Sequence, residues 1–381
     1  MATTNFVAGT LIESTWLNDA DAHVYDQATA AHTAANIAVV DTAGNFTATD
    51  VEGVLAEISA GAGGLQYFTE GRSIAAPNAT VPVHSFTAFG TETNIDAALI
   101  PKGTGALVAQ VADSTATGGN KRGPTAVDLQ RNRSLNTQVA SGAFSVLCGG
   151  SGNTASGSIA TLSGGLLNTS SGITSVVSGG DSNTASGSAS VVGGGDTNTA
   201  SGTASCILGG EFNTADGQYS VIIGGLYSWV RGLLGKSCFA SGSFATTGDA
   251  QIGLQVLRGT TTDATPSITT SDGGVASSTN VSVLPDNYSY CVSALVTARN
   301  TATGDTATWK VEGAIKRGAN AAATALVGTP TVTSLGADAG MAGAVVALIA
   351  DTTLGAAEIQ VTGIAATTIH WVCKFNTVEA G

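Results

Sequence analysis

Aromatic residues make up only 5 % of this 381-residue chain and charged residues only 11 %, with seven prolines and two methionines. A disordered chain needs high charge and low hydrophobicity, and 43 % hydrophobic residues with so little charge excludes it. Large aromatic side chains supply much of the buried area of big globular cores. Their scarcity here, beside 51 glycines, favours extended, repetitive β structure built from small residues. Basic residues are also few, 14 against 27 acids, and the net charge of −13 argues against a nucleic-acid footprint. Lys121-Arg122 and Arg131-Asn132-Arg133 are too short to change this and read as loop charges.

Chemical signatures are equally sparse. The histidines, His23, His32, His84 and His370, lie in four separate segments, and the five cysteines show no metal-ligand spacing. Cys206 falls in a column held mostly by valine and reads as a small apolar residue in a reduced protein. No Gly-x-Ser-x-Gly elbow, phosphate loop or paired-cysteine site is present. The expectation is therefore no catalytic residues, no metal, no cofactor and no enzymatic activity. No run of eighteen apolar residues exists, which predicts no membrane insertion. The opening Met1–Val7 lacks a basic region and an apolar core, which predicts no secretory signal.

What the chain does have is a repeat. Gly-Gly pairs stand at 149-150, 164-165, 179-180, 194-195, 209-210 and 224-225, always 15 residues apart. In register follow Asn153, Asn168, Asn183, Asn198 and Asn213, each before a Thr, and then Ser-Gly, varied to Asp216-Gly217 in the last. Unbroken spacing over six units predicts one coil per repeat, stacked on its neighbours. The Gly-Gly and Ser-Gly pairs provide corners through positive φ or close backbone approach. Leu147, Leu162, Val177, Val192, Ile207 and Ile222 form an apolar column, and Ser145, Ala160, Ser175, Ser190, Ser205 and Ser220 a small one two residues earlier. That pattern predicts the inside of a narrow β-coil, with ladders of stacked Asn and Thr along its axis. So thin a core is expected to be shared with other copies. The column after each Gly-Gly holds Asp181, Asp196 and Glu211 in succession, a possible cation column set against plain solvated turns.

Around the repeat, residues 1–66 read as an attachment segment in which Trp16, Leu17, Asn18 and Asp19 form an anchor for a partner protein. Thr49–Glu52 has a capping-box pattern, and Val51, Val54, Leu55 and Ile58 then make one helical stripe. A helix so short gains stability in a bundle on a symmetry axis. Residues 67–140 are predicted to be a β shaft or collar, 141–232 the repeat, and 233–248 its transition, with Trp229 plugging the open core. Residues 249–381 alternate apolar and polar, as in Trp309–Ile315, Ile369–Asn376 and Tyr290–Val296, predicting an antiparallel sandwich or jelly roll. Its loops supply the receptor-contact candidates Arg299, Asn300, Asp305, Lys316, Arg317 and Asn320.

Several of these phrases resemble bacteriophage tail fibre and tailspike proteins. Asn5–Thr10, Glu13–Asp19 and Ala31–Asn36 resemble their virion-proximal ends, and Asn94–Leu107 is similar to fibre shafts. The Gly-Gly-x-x-Asn-Thr-Ala-Ser-Gly repeat is similar to the β-rolls of trimeric adhesins and phage fibres, and Trp309–Gly318 and Ile369–Glu379 resemble the fibres' closing domain. The resemblance implies a mainly β, elongated homotrimer with a short N-terminal helical segment, a shaft, a β-roll or β-helix and a C-terminal antiparallel β-sandwich. It implies a virion protein, assembled in the host cytoplasm, that docks on a phage tail, baseplate or adaptor protein. Its distal domain would meet a host cell-surface polysaccharide or protein. Neither a chaperone-protease tail nor the long parallel β-helix of depolymerising tailspikes is apparent, so binding is expected rather than cutting. The alternatives are a fibre that only bridges the tail and a separate tip protein, or a polysaccharide-degrading tailspike.

Overall fold

The computed structural model describes the strands Phe68–Ser73 and Val83–Ala88 and the residues from 99 to 381. The anchor residues Trp16–Asp19 and the helical stripe Val51, Val54, Leu55 and Ile58 lie outside the described residues. The chain divides after Leu99 into two units. In the first, β1 (Phe68–Ser73) and β2 (Val83–Ala88) pair as an antiparallel hairpin.

The second unit contains a parallel β-solenoid. One column of rungs comprises β3 (Leu107–Val108), β4 (Val127–Asp128), β5 (Val146–Leu147), β7 (Thr161–Leu162), β9 (Val176–Val177), β11 (Val191–Val192), β13 (Cys206–Ile207), β15 (Val221–Leu226) and β16 (Ser237–Ser241). The facing column comprises β6 (Thr154–Ala155), β8 (Thr169–Ser170), β10 (Thr184–Ala185), β12 (Thr199–Ala200) and β14 (Thr214–Ala215). The parallel column thus begins at Leu107, well before the 15-residue period does. At about 4.8 Å per rung, eight steps give roughly 38 Å of solenoid.

Inside, the predicted apolar column faces the small residues Ala155, Ser170, Ala185, Ala200 and Ala215 of the opposite rungs. Leu147, Leu162, Val177, Val192, Ile207 and Ile222 are 0 % exposed within a single chain. This corrects the expectation of a shared core: one branched residue per coil against one Ala or Ser closes the interior. Burying each such side chain contributes about 1.5–3 kcal/mol. Where Ser170 replaces Ala, its hydroxyl is satisfied by Ser175 Oγ at 2.7 Å.

The corners explain the glycines. The second glycine of each pair is left-handed, and at Gly195 (φ +91°) an added Cβ would lie 2.0 Å from the Gly210 carbonyl oxygen of the next coil. Two non-glycine positions per coil are left-handed as well, such as Ala189 (φ 54°) and Thr197 (φ 53°). That conformation is uncommon outside glycine. There the N–H turns back to the preceding coil, Ala189 to Ile173 O and Thr197 to Asp181 O, while rung residues such as Thr184 and Val191 donate forward to Asn198 O and Ser205 O. The hydrogen bond offsets the strain.

The amide ladder is present, and it runs through the backbone. Asn168 Nδ2 donates to the carbonyl oxygens of Gly164 and Gly180 (3.0 and 2.9 Å), and its Oδ1 accepts from the Asn183 N–H (2.9 Å). No matching ladder of Thr hydroxyls occurs among the described residues. Gln130 begins the ladder by accepting from the Asn153 N–H (2.8 Å), and Ser228 ends it by donating its N–H to Asn213 Oδ1 (2.9 Å).

Both ends of the core are closed. At the start, Asp128 occupies the apolar column in register with Leu147 and pairs with Arg122 (2.7 Å) and Arg133 (3.1 Å), all buried. Arg122 and Arg133 are therefore not loop charges: together with Asp128 they form a buried cap. At the far end Val230, Leu233 and Cys238 complete the core. Trp229, the expected plug, is only half buried and sits on the rim, its Nε1 donating to Asp216 Oδ2 (2.8 Å).

The sandwich follows without a break. Strand β17 (Ala250–Thr261) pairs antiparallel with β16, and β25 (Ile369–Ala380), β20 (Ser289–Asn300), β21 (Thr306–Arg317) and β22 (Thr324–Ala337) follow in order, making one 14-stranded sheet with the solenoid column. A second sheet has β24 (Ala356–Thr362) between β23 (Val345–Asp351) on one edge and β18 (Pro266–Ile268) and β19 (Ser282–Val283) on the other. Strict alternation buries Tyr290, Val292, Trp309, Val311, Trp371 and Phe375 between the sheets. Trp309 and Trp371 stack with ring centroids 5.7 Å apart, and Trp371 Nε1 donates to Thr261 Oγ1 at 2.9 Å.

Candidate functional site: the solenoid end and the terminal sheet

Polar groups gather where the last coil meets the sandwich. Glu379, on the final strand, is 1 % exposed and accepts from four donors. These are Lys236 Nζ (2.6 Å), Gln251 Nε2 (2.8 Å), Thr377 Oγ1 (2.7 Å) and Arg231 Nη1. Burial alone would raise its pKa, but the Lys236 and Arg231 cations outweigh that and hold it down at about 2. Arg231 also donates to Tyr290 Oη (2.8 Å) and lies 4.8 Å above the Tyr288 ring. The Gln251 amide clamps the Trp229 backbone, accepting from its N–H and donating to its carbonyl. Arg231 Nε alone among these groups lacks a partner, and the cluster joins the solenoid to the sandwich.

Beside the junction the outer surface is apolar. Ile223 (64 % exposed), Phe239, Ile252, Leu254 and Val378 line a shallow groove of about 360 Å³ together with Cys291 and Lys374. Cys238 lies behind it, its thiol pushed up to about 12 by burial.

The sequence-predicted loop residues are not brought together. Arg299, Asn300 and Asp305 belong to the turn joining β20 to β21, whereas Lys316, Arg317 and Asn320 lie at the opposite end of the same hairpin. Ten residues of strand separate the two groups, about 34 Å. Within each group the roles differ. Asn300 is buried, and its side-chain oxygen accepts from the Ala302 and Thr303 N–H groups. Arg317 pairs with Asp286 (2.7 Å) and donates to Leu284 O (2.6 Å). Asn320 caps the short 3₁₀ turn Ala321–Ala323. Arg299 and Lys316 are the exposed cations.

Asp181, Asp196 and Glu211 stand on successive coils, joined by parallel bridges. Asp181 and Asp196 each accept from the hydroxyl of the next residue, Ser182 (2.8 Å) and Thr197 (2.6 Å). Among the described residues no group of three His, Cys, Asp or Glu side chains is placed to hold a metal ion.

No protein-family model and no curated protein matches this chain. Solved structures similar to it are phage tailspike proteins. The gp49 tailspike of Acinetobacter baumannii bacteriophage Fri1, a capsular polysaccharide depolymerase, is 10 % identical with a TM-score of 0.21, covering 72 % of this chain and 47 % of that one. The tailspike of Acinetobacter phage vB_ApiP_P1 is 8 % identical with a TM-score of 0.18, covering 68 % and 54 %. That of Acinetobacter baumannii phage AM24 is 8 % identical with a TM-score of 0.18, covering 72 % and 56 %. The chain thus spans about half the length of these tailspikes. The comparison corrects the expectation of a protein without enzymatic activity: one of the similar tailspikes is a capsular polysaccharide depolymerase.

Proposed function

We propose that this chain is a phage tail protein of the tail-fibre or tailspike type that presents its terminal sandwich to a host-surface glycan. The observation that carries the reading is the continuous sheet running from Leu107–Val108 to β22, locked at the junction by Glu379. A solenoid whose sheet continues into the next domain holds that domain rigidly, as a recognition surface requires. The repeat's resemblance to phage fibres supports the same reading.

In this proposal the chain is a virion component and forms a homotrimer. Trp16–Asp19 dock on a tail, baseplate or adaptor protein, and the stripe Val51, Val54, Leu55 and Ile58 joins the copies. Arg299, Asp305, Lys316 and Asn320 contribute receptor contacts from the two ends of the β20–β21 hairpin. The test is adsorption competition with the purified full chain against whole phage on host cells. Blocked adsorption is the expected result; undiminished adsorption at saturating protein overturns the reading in favour of a bridge between tail and tip. The same preparation is assayed for release of reducing ends from host capsule, the polymer class on which one of the similar tailspikes acts.

A further inference from the structure

We infer that the distal half of the sandwich's outer face binds an acidic polysaccharide, with Arg258 and Arg299 as its charge-reading residues. This inference rests on the proposed host-surface role and names the class of glycan.

The outward-pointing residues of β17, β25, β20 and β21 are sorted along the strands. Next to the solenoid they are apolar: Ile252 and Leu254 on β17, Val378 on β25. Toward the other end basic residues enter this face, interleaved with the exposed Val256, Val372 and Leu295. Arg258 lies on β17, His370 and Lys374 on β25, Arg299 on β20 and Lys310 on β21. With Lys316 at the near end of β21, this one face carries five of the chain's 14 lysines and arginines. The only acid pointing out from these four strands is Glu312, which Lys310 neutralises at 2.8 Å. Concentrated positive charge on a chain of net −13 is a segregation that solubility does not require.

The register places the charges as a set. Thr260, His370 and Arg299 stand side by side across three strands, and Arg258 lies one pair further along β17. Two strand spacings and one residue pair put the Arg258 and Arg299 backbones about 12 Å apart, with His370 between them. That span suits an oligosaccharide carrying more than one acidic sugar. Arg258, Arg299 and Lys374 form no ion pair among the described residues.

A cleft of about 450 Å³ opens at this end, walled by Arg258, Thr260, His370 and Val372 on the sheet and by Asp272 and Gly273 on the loop above. Its volume lies in the range of small-molecule sites. Arg258 is held at its edge because Nη2 donates to the Asp272 carbonyl (2.9 Å). Left-handed Gly273 (φ +76°) lets the loop lie close, since a Cβ there would stand 3.3 Å from Arg258 Nε. The one carboxylate of the cleft, Asp272, accepts through Oδ1 from Thr270 Oγ1, the Gly274 N–H and Asn280 Nδ2. The remaining guanidinium donors of Arg258 are free to fork onto a sugar carboxylate.

The test uses the full chain with polygalacturonate as acidic probe and dextran as neutral control, in binding titrations at two salt concentrations. Binding to polygalacturonate alone is expected, weakening with salt. The double variant Arg258→Gln/Arg299→Gln should bind at least about tenfold more weakly, while Arg131→Gln, exposed on the solenoid, leaves binding unchanged. Equal binding to dextran, no binding to polygalacturonate, or an unaffected double variant overturns the inference. If polygalacturonate fails while the chain still blocks phage adsorption, only the acidic-glycan assignment falls. If it binds while adsorption proceeds undiminished, the host-surface role falls instead.

Discussion

Lys236, from the last coil, and Glu379, two residues from the C-terminal glycine, place Nζ and Oε1 2.6 Å apart with both side chains 1 % exposed or less. The pair joins residues 143 positions apart and, with Arg231, fixes the sandwich to the solenoid. Replacing Glu379 by Gln leaves two buried cations without a counter-charge. A loss of about 3–5 kcal/mol is expected, read by chemical denaturation. The sign of the pH dependence follows from the depressed pKa. The carboxylate's contribution is fully present above the ordinary value of 4.5 and is lost as pH falls toward about 2. A wild type that keeps its stability down to pH 2 would contradict this.

The asparagine ladder makes a different demand. Asn183 donates to the carbonyls of Gly179 and Gly195 and accepts from the Asn198 N–H. Asn183→Ala strands that buried N–H, for a loss of about 1–3 kcal/mol. Asn183→Asp should be worse, because it faces two carbonyl oxygens with a carboxylate in place of a donor. Denaturant midpoints in the order wild type, Ala, Asp check this; an Asp variant as stable as wild type would exclude the ladder geometry.

Neighbouring glycines separate strain from collision. Gly194 (φ +146°) has open space where a Cβ would go, whereas at Gly195 it would meet the Gly210 carbonyl oxygen at 2.0 Å. Gly194→Ala should cost about 1–3 kcal/mol in backbone strain, while Gly195→Ala forces adjacent coils apart and should exceed about 4 kcal/mol. Thermal unfolding of the two variants gives the comparison, and equal losses would falsify the stacking geometry.

The solenoid was legible because its constraints recur. A glycine under the next coil's carbonyl, an amide between two coils and a branched residue in the core are each needed every 15 residues, and the period shows them. The ends were not legible, because a cap is needed once and leaves no period. Arg122, Asp128 and Arg133 look like surface charge in sequence, yet they fill one buried site. Ser228 falls on the period where Asn should stand, but Gln130 occupies a ladder position off the period, and only the register identifies it. Alternation gave the sandwich's strands, including the inward Trp309 and Trp371. It could not show that β17 continues the solenoid sheet, because strand order depends on pairing between distant segments. That pairing gathers Arg258, His370 and Arg299 on one face, although they lie far apart in the chain.

Glu358 supplies a pH signature of the opposite sign. It lies on β24, 4 % exposed, with Oε1 lacking a hydrogen-bond partner among the described residues. Burial, aided by the like charge of Asp351 on β23, raises its carboxyl from 4.5 to about 7. The folded protein thus keeps a proton that the unfolded chain releases near pH 4.5. Stability attached to that proton is fully present below 4.5 and is lost as pH rises through about 7. Discounted for the solvent that reaches the carboxyl, the loss is about 1–2 kcal/mol. Wild type should therefore be less stable at pH 8 than at pH 5, while Glu358→Gln, which cannot ionise, should be flat over that interval. Denaturation curves at the two pH values decide it. A wild type equally stable at both would mean that Glu358 is ionised in the fold, with a counter-charge beside it that this packing does not provide.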